Sequence, residues 1–183
     1  QIFRQVDLGI AVSEVDREIL QRLCPEGKFF VVENGVDTRK FIPDDEVIEP
    51  NTLLWIGGLN QLPNREGIYY FLKEVYPEIK ERMPNAKLEI IGSGVTERLR
   101  RMANTDESIK LLGYVEDPLP HIQKASVFIV PILSGSGTRL KLLEAMSAGK
   151  AIVTTSIGCE GIEGSDGTHF IVADTPKDFG EAI

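Results

Sequence analysis

From residue 52 onward, short strand-like segments alternate with helix-like segments, and this alternation restricts the possible folds more than any other feature. The strand-like segments are rich in β-branched residues and are bounded by Gly, Pro or polar residues. They occupy residues 52–57, 87–92, 109–113, 126–131, 150–155 and 168–173. Several lack polar alternation, as strands that are covered on both faces do. Repeated strand–helix–strand units of this size predict an α/β fold, with a Rossmann-like parallel sheet and helices on both faces.

The helix-like segments fill the intervals between these strands. The longest carries apolar residues at the 3.6-residue period, with Pro63 and Asn64 at its start and Pro84 beyond its end. Shorter helices are expected near residues 95–103, 117–124 and 138–148.

The start of the chain follows this rhythm less cleanly. Strand candidates lie at 6–13 and 29–32, and a helix candidate lies at 14–23. A turn-rich stretch, ENGVDTRKFIPDD, follows them. We interpret residues 1–50 as the tail of a preceding domain with a hinge, and the residues from 52 onward as the Rossmann-like domain.

Composition excludes several classes of partner and cofactor. A formal charge of −8 argues against nucleic acid, because a polyanion would repel the chain as a whole. His121 and His169 stand apart from any carboxylate cluster, and Cys24 and Cys159 lack a metal-ligand spacing, so no metal is expected. No apolar stretch approaches the length of about 20 residues that a membrane helix needs.

Three of the predicted strands end in loops that contain glycine, namely GGLNQLPN at 57–64, GSG at 92–94 and SGSGT at 134–138. In an open parallel sheet, ligands bind at the carboxyl ends of the strands, where loops lead into helices. Glycine lets backbone amides approach an anion closely, and the helix N-terminus adds a partial positive charge. The SGSGT loop is therefore a candidate phosphate site, although a flexible turn without a ligand has the same composition.

Two common phosphate-binding motifs fit the sequence poorly. No Gly-Lys-Ser/Thr run follows a strand, which excludes a Walker loop. The dinucleotide pattern G-x-G-x-x-G finds only Gly92 and Gly94, with Glu97 at the place of the third glycine. An NAD(P)-binding oxidoreductase domain stays open as an alternative.

The predicted helix after SGSGT carries three charged residues, Arg139, Lys141 and Glu144, in an otherwise small and apolar segment. Lys141 and Glu144 are three residues apart, so they could form a solvated ion pair. However, cations near a helix N-terminus oppose the helix dipole, and a bound anion would compensate them. The pattern favours an anion site.

The segment SGSGTRLKLLEAMSAGKAIVTTSIGCEGI resembles the signature of the group 1 retaining glycosyltransferases, which have the two-domain GT-B fold. Supporting segments follow in the family's order: SEVDREIL, ENGVDTRKF, LLWIGGLNQLPNREGIYYF, LEIIGSG and IKLLGYVEDPLPHIQKASVFIVP. The resemblance implies that residues 41–183 form the domain that binds the nucleotide-sugar donor, which is one half of a GT-B fold. It also implies that residues 1–40 are the tail of the acceptor-binding domain and the interdomain hinge.

The resemblance also implies roles for individual residues. Glu144 would bind the ribose hydroxyls, since a carboxylate offers two acceptor oxygens, and Arg139 and Lys141 would neutralise the diphosphate. The backbone near Tyr114 and Val115 would frame the base. The donor-binding positions are Gly57, Gly58, Gly92, Tyr114, Val115, Ser136, Gly137, Thr138, Leu140 and Arg65.

Two positions depart from the family's usual pattern. Ser136 occupies the place of a glutamate that contacts the transferred sugar, and Gly58 occupies the place of an arginine. The cations must therefore come from Arg139 and Lys141, with Arg65 as a weaker candidate. A subgroup that carries G-x-G-T-R-L-K in this place is similar to the chain.

The resemblance implies retaining hexosyl transfer, mannosyl or glucosyl, in glycan or polysaccharide biosynthesis. The substrate would be a UDP-sugar or GDP-mannose, with no obligatory cofactor or metal, and the preceding domain would hold a sugar or lipid-linked acceptor. We expect the chain alone to bind nucleotide without useful turnover. A cytoplasmic location is expected, and peripheral membrane association would suit a lipid-linked acceptor. A non-catalytic nucleotide-sugar-binding paralogue is a further alternative, motivated by Ser136.

Overall fold

The computed structural model describes residues 6–183, which form a six-stranded parallel sheet, a separate pair of strands and seven α-helices. The strands are β1 Gly9–Ala11, β2 Phe29–Val31, β3 Thr52–Ile56, β4 Lys87–Ile91, β5 Ile109–Gly113, β6 Val127–Val130, β7 Ala151–Thr154 and β8 Ile171–Val172. The α-helices are α1 Glu14–Leu23, α2 Leu62–Tyr70, α3 Tyr76–Arg82, α4 Glu97–Ala103, α5 Leu119–Lys124, α6 Leu140–Ser147 and α7 Pro176–Ala182. A 3-10 turn spans Asp45–Val47.

The order of the large sheet is β5-β4-β3-β6-β7-β8, and all of its strand pairs are parallel. Strands β3, β4 and β5 extend the sheet in one direction, whereas β6 returns to the other side of β3. The strand order therefore reverses between β3 and β6, which leaves a crevice between the loops that follow them. The predicted Rossmann-like fold class is confirmed.

Helices cover both faces of the sheet, as the apolar strand segments predict. On β3, Leu53 and Trp55 belong to one buried cluster, with apolar residues of α2, α3, α4 and α7. Leu54 belongs to a second cluster, with apolar residues of α5 and α6. Because all three side chains are almost fully buried, the strand has no solvent face and shows no polar alternation.

The longest predicted helix is interrupted by a π-helical segment. Helices α2 and α3 run into one another through Phe71–Val75, which has π-helical hydrogen bonding. Pro77 lies just after this segment, and a proline inside a regular helix removes one backbone hydrogen bond. The wider π turn accommodates the missing donor while the buried face stays continuous.

Two predicted segments differ from the structure. The strand predicted at 168–173 is reduced to Ile171–Val172, because residues 165–170 fold into a turn in which Thr168 and His169 donate backbone hydrogen bonds to Ser165. The strand predicted at 6–13 is reduced to Gly9–Ala11.

The first part of the chain forms a small parallel pair, β1 and β2, joined through α1. Ser13 caps α1 by accepting a hydrogen bond from the Asp16 amide. The pair is not hydrogen-bonded to the large sheet. Apolar side chains of this region lie exposed: Val6, Leu8, Ile10, Val15, Ile19, Leu23, Phe30 and Val32. Residues 1–5 of the predicted 1–40 unit lie outside the described residues.

The connection from β2 to β3 packs against α6. The Phe41 side chain is buried, and the Phe41 carbonyl accepts a hydrogen bond of 2.7 Å from the Ser147 hydroxyl. Pro43 lies against Gly149, where an added Cβ would come within 3.1 Å of the proline ring. The connection from β2 to β3 therefore contacts the C-terminal end of α6.

Candidate functional site

The candidate site lies at the crevice between the loops that follow β3 and β6. The Ser134 hydroxyl donates a hydrogen bond of 3.2 Å to Glu66 of α2, and Gly135 lies against Pro63. The loop after β6 therefore contacts the start of α2, the helix that follows the loop after β3, where the strand order reverses.

The SGSGT loop leaves a continuous run of backbone amides without partners. Gly135 and Gly137 have φ angles of +97° and +91°, which side chains with a Cβ rarely adopt. From Ser134 to Lys141, no backbone amide donates a hydrogen bond within residues 6–183. Helix α6 begins at Leu140, two residues later than predicted, and no side chain caps its N-terminus. Unpaired amides at an uncapped helix start form an anion-binding surface.

The side chain of Lys141, the last residue of this run, contacts α2 and β3. Its ammonium donates a hydrogen bond of 3.0 Å to Oδ1 of Asn64 and lies 5.2 Å from the centre of the Trp55 ring. Burial, together with the smaller effect of the Arg139 charge, lowers the pKa of Lys141 to about 7. The structure gives Lys141 no ion pair with Glu144, so the solvated pair considered from the sequence is not formed.

Arg139 folds back onto the loop. Its Nη1 donates a hydrogen bond of 2.8 Å to the Ser136 carbonyl, whereas Nε and Nη2 are buried without a partner in the described residues. Burial lowers the pKa of Arg139, and the charges of Glu160 and Asp16 oppose this shift. The guanidinium therefore keeps hydrogen-bonding capacity that the protein does not use.

Glu144 lies near the middle of α6, after the uncapped start of the helix, and it is half-buried. Within residues 6–183 its carboxylate makes no hydrogen bond or ion pair. Burial raises the pKa of Glu144, and the charge of Lys40 in the hinge acts in the opposite direction. A carboxylate that is partly desolvated and unpaired is available to accept hydrogen bonds from a ligand.

The sequence of this chain also matches a known protein family. The sequence profile described as "Glycosyl transferases group 1" matches residues 50–183. The chain belongs to the group 1 glycosyltransferases. Within the part of this glycosyltransferase chain that the structure describes, no group of His, Cys, Asp and Glu side chains is placed to hold a metal ion. None of the helices in the same residues is long and apolar enough to span a bilayer.

Relatives and solved structures agree with this family. An uncharacterized 44.6 kDa protein in the cps region of Klebsiella pneumoniae is 31% identical over 138 residues, which cover 72% of this chain and 36% of that protein. A phosphatidyl-myo-inositol mannosyltransferase of Mycolicibacterium smegmatis is 29% identical over 133 residues, 69% of this chain and 34% of that protein. The pneumococcal O-GlcNAc transferase GtfA in complex with UDP and GlcNAc has the same fold, with a TM-score of 0.78 at 19% identity, over 98% of this chain and 37% of that one. The chain spans about a third of the length of the curated relatives it matches.

The glycines at the other strand ends of this glycosyltransferase domain differ in their surroundings. A Cβ on Gly92 would lie 1.9 Å from the Gly57 carbonyl oxygen, and a Cβ on Gly57 would lie 2.9 Å from the Trp55 ring. Close packing of the strand ends therefore explains both residues without a ligand. Gly58 has nothing within 4 Å of an added Cβ, so its surface is open.

The remaining predicted positions are distributed around the same end of the sheet. Tyr114 follows β5 and is 75% exposed, and Val115 packs against the apolar cluster that includes Phe41 and Leu142. Leu140 is half-exposed at the start of α6. These side chains thus lie on loops and a helix start at the carboxyl end of the sheet.

Thr138 and Arg65 make contacts that their predicted roles do not require. The Thr138 hydroxyl donates a hydrogen bond of 3.3 Å to the Val12 carbonyl, at the end of β1. Arg65 contacts the Leu59 carbonyl at 3.5 Å, near the limit for a hydrogen bond. Thr138 therefore joins the SGSGT loop to the first part of the chain, and Arg65 stays beside its own loop.

Sequence reasoning missed Asn64 and Lys40 as parts of the site. Asn64 was interpreted as a residue of a helix start, and it does lie in the first turn of α2, but its side chain points to Lys141. Lys40 was part of a turn-rich stretch. Sequence spacing could not indicate that Asn64 bonds to Lys141 or that the charge of Lys40 acts on Glu144. Both partners lie on α6, which is remote from these residues in the sequence.

Proposed function

We propose that residues 41–183 bind the nucleoside diphosphate part of a nucleotide sugar, and that the whole protein is a retaining hexosyltransferase of glycan or polysaccharide biosynthesis. The observation that carries this proposal is the run of unpaired amides from Ser134 to Lys141, next to an unpaired carboxylate on Glu144. A diphosphate and its ribose require the same combination, since one needs donors and the other needs an acceptor.

The proposed assignments follow the local chemistry. The amides of Ser136, Gly137 and Thr138 bind the diphosphate, and Arg139 and Lys141 neutralise it. The Leu140 backbone continues this surface at the start of α6, where Leu140 is half-exposed.

The ribose and the base occupy the other side of the crevice in this proposal. The Glu144 carboxylate accepts hydrogen bonds from the ribose hydroxyls. The backbone at Tyr114 and Val115 frames the base, and the open surface at Gly58 lets the nucleotide sugar approach the first loop. Gly57 and Gly92 act by shaping that loop, and Arg65 supports it from α2.

The domain's share of catalysis is electrostatic in this proposal. Negative charge develops on the diphosphate as the glycosidic bond breaks, and preorganised amides and cations stabilise it without reorganisation. The amides at the start of α6 are oriented by the helix and have no partner within residues 6–183. The proposal assigns no obligatory metal or other cofactor to this step.

The nucleotide sugar is a UDP-sugar or GDP-mannose in our proposal. The fold neighbour GtfA is described in complex with UDP, and the mycobacterial relative is a mannosyltransferase. The hexosyl group is accordingly mannosyl or glucosyl in our proposal.

We further propose that residues 1–40 belong to the acceptor-binding domain and the hinge. The exposed apolar side chains on β1, α1 and β2 support this division, because such a surface calls for a covering partner. The acceptor is a sugar or a lipid-linked sugar in this proposal, and the protein acts in the cytoplasm, with peripheral membrane association for a lipid-linked acceptor.

Calorimetric titration of the 183-residue chain with UDP, GDP and NADH tests the proposal. We expect heat of binding with UDP or GDP and none with NADH, without useful sugar transfer by the chain alone. Binding of NADH without a response to UDP or GDP would instead support the NAD(P)-binding oxidoreductase. The packing role of Gly92 already argues against that alternative, since it explains the GSG segment without a dinucleotide.

The non-catalytic alternative is motivated by Ser136, which is exposed where the family has a glutamate. It is distinguished by assaying the full-length protein with its nucleotide sugar. Protein that binds the nucleotide sugar but neither hydrolyses nor transfers it would support a binding-only paralogue.

A further inference from the structure

We propose that Asn64 is a positioning residue, whose side-chain amide holds the Lys141 ammonium against the glycine loop after β3. The inference rests on the proposed function, and it assigns a role to a residue outside the predicted set. In this proposal the loops after β3 and β6 form one diphosphate site because a single amide joins them.

The amide of Asn64 has hydrogen-bonding partners on both sides. Oδ1 accepts a hydrogen bond of 3.0 Å from the Lys141 ammonium. Nδ2 donates to the Gly58 carbonyl at 3.1 Å and lies 3.2 Å from Oε1 of Gln61. Only one orientation of the amide satisfies all of these contacts, since the ammonium is solely a donor and both other partners offer acceptor oxygens.

The packing around Asn64 leaves its side chain little freedom. A Cβ on Gly57 would lie 3.0 Å from Cγ of Asn64, so the glycine makes room for the amide. Asn64 lies in the first turn of α2, which fixes its backbone to the helix that begins beside the crevice. The helix start has no side-chain cap, so the amide does not serve that purpose.

The hydrogen bond between Asn64 and Lys141 is important because of the charges around the ammonium. Arg139 is the charged group that acts on the ammonium along α6, Trp55 presents only a ring, and no carboxylate pairs with Lys141 within residues 6–183. Asn64 is consequently the hydrogen-bonding side chain that stabilises the protonated amine in the absence of a ligand. It adds no charge that would compete with a diphosphate.

The test uses two substitutions in the 183-residue chain, Asn64→Asp and Asn64→Ala, with Asn85→Asp as the matched control. Asn85 is an exposed residue in the turn before β4, at the opposite end of the sheet, so its substitution makes the same change of charge away from the site. The first readout is the pKa of the Lys141 side chain, measured without ligand by NMR of protein that carries 13Cε-labelled lysine. The Lys141 signal is assigned by its absence from the spectrum of Lys141→Met. The second is the affinity for UDP and GDP between pH 7 and 9.

We expect the wild-type affinity to fall by up to about 50-fold between pH 7 and 9, since the amine loses its proton while the terminal phosphate, with a pKa of about 6, stays ionised. Asn64→Asp places a carboxylate beside the ammonium, so the Lys141 pKa should rise by at least one unit, and the fall in affinity between pH 7 and 9 should shrink to about tenfold or less. Its affinity at pH 7 should be about tenfold lower, because the new charge competes with the diphosphate. Asn64→Ala should lower the Lys141 pKa, and Asn85→Asp should change neither readout.

A Lys141 titration that is the same in wild type and Asn64→Asp would overturn the proposal. So would variants whose affinities fall by one constant factor at every pH, which is what a purely structural role predicts. Asn64→Asp is isosteric and carries the test if Asn64→Ala does not fold. If the wild type binds neither UDP nor GDP, the proposed function fails, while the NMR titration still decides whether Asn64 positions Lys141.

Discussion

Three charged side chains at the start and in the first turns of α6, Arg139, Lys141 and Glu144, are each partly withdrawn from water and form no ion pair within residues 6–183. Burial shifts the pKa of all three toward the neutral form. A protein that only had to fold would gain by pairing or replacing them, because desolvated charges cost free energy. We infer that a ligand provides the missing interactions.

The first residue-scale prediction concerns Glu144→Gln. We expect the affinity for UDP or GDP to fall by about 10- to 100-fold, because the amide is a poorer acceptor than a charged carboxylate. The thermal stability should stay equal or increase: the raised pKa of Glu144 means that its charge costs stability above that pKa, and the substitution removes this cost. Calorimetry and thermal unfolding at pH 7.5 measure the two effects. A large loss of stability together with binding would show a structural role instead.

The second concerns Lys141→Met and pH. With a folded-state pKa of about 7, Lys141 binds fewer protons in the folded chain than in the unfolded chain between pH 7 and 10. The free energy of unfolding should therefore gain about 1–2 kcal/mol from this residue between pH 7 and 9. In Lys141→Met that gain should be absent. Urea unfolding of both proteins at the two pH values measures it, and parallel pH dependences would contradict the prediction.

At the scale of the elements, the site depends on how closely the strand ends approach one another. The Gly57 amide donates a hydrogen bond of 2.9 Å to the Ile91 carbonyl, and Gly92 leaves no space for a side chain beside the Gly57 carbonyl. The contact between these strand ends orients the loop after β3. This loop contains Gly58 and leads into the first turn of α2, where Asn64 lies. The loop that we propose to contact the nucleotide sugar is thus shaped by a neighbouring strand end.

A pair of glycine substitutions tests this dependence. Gly92→Ala should lower the free energy of unfolding by about 2–4 kcal/mol, because the backbone must move to admit the methyl group. Gly58→Ala, which has open space around the added Cβ, should change it by less than about 0.5 kcal/mol. Chemical denaturation of both variants gives the comparison, and similar losses would mean that backbone flexibility, rather than contact, is responsible.

At the scale of the whole molecule, the SGSGT loop is linked to the first part of the chain. Thr138 donates a hydrogen bond to the Val12 carbonyl, and Gly161 lies against Ser13, the residue that caps α1. The β1–α1 junction thus contacts the loop that we propose to bind the diphosphate. Movement of the β1–α1 junction should therefore change the conformation of the SGSGT loop.

Gly161→Ala tests this link, with Gly167→Ala as its control. Both glycines have φ near +74°, but a Cβ on Gly161 would lie 2.9 Å from Cβ of Ser13, whereas Gly167 has nothing within 4 Å. We expect Gly161→Ala to increase amide hydrogen exchange both in α1 and in the SGSGT loop, because the junction is displaced. Gly167→Ala should leave both unchanged. Faster exchange in α1 alone would show that the two regions are independent.

The sequence by itself determined the fold class, because apolar runs and glycine-containing strand ends are local signals that a parallel α/β sheet requires. The sequence also indicated that Arg139, Lys141 and Glu144 lie close together at one helix, because spacing along a helix is a local property. The π turn near Pro77 and the short β8 escaped prediction, because each depends on how neighbouring elements pack.

Only the tertiary structure decided which residues meet at the crevice. Asn64 and Lys141 are 77 positions apart, and their contact exists because the strand order reverses between β3 and β6. Lys141 donates a hydrogen bond to Asn64 and does not pair with Glu144, which lies three residues further along the same helix. Local spacing sets which residues lie on one helix, whereas the desolvation and partners of a charge depend on elements from distant parts of the chain.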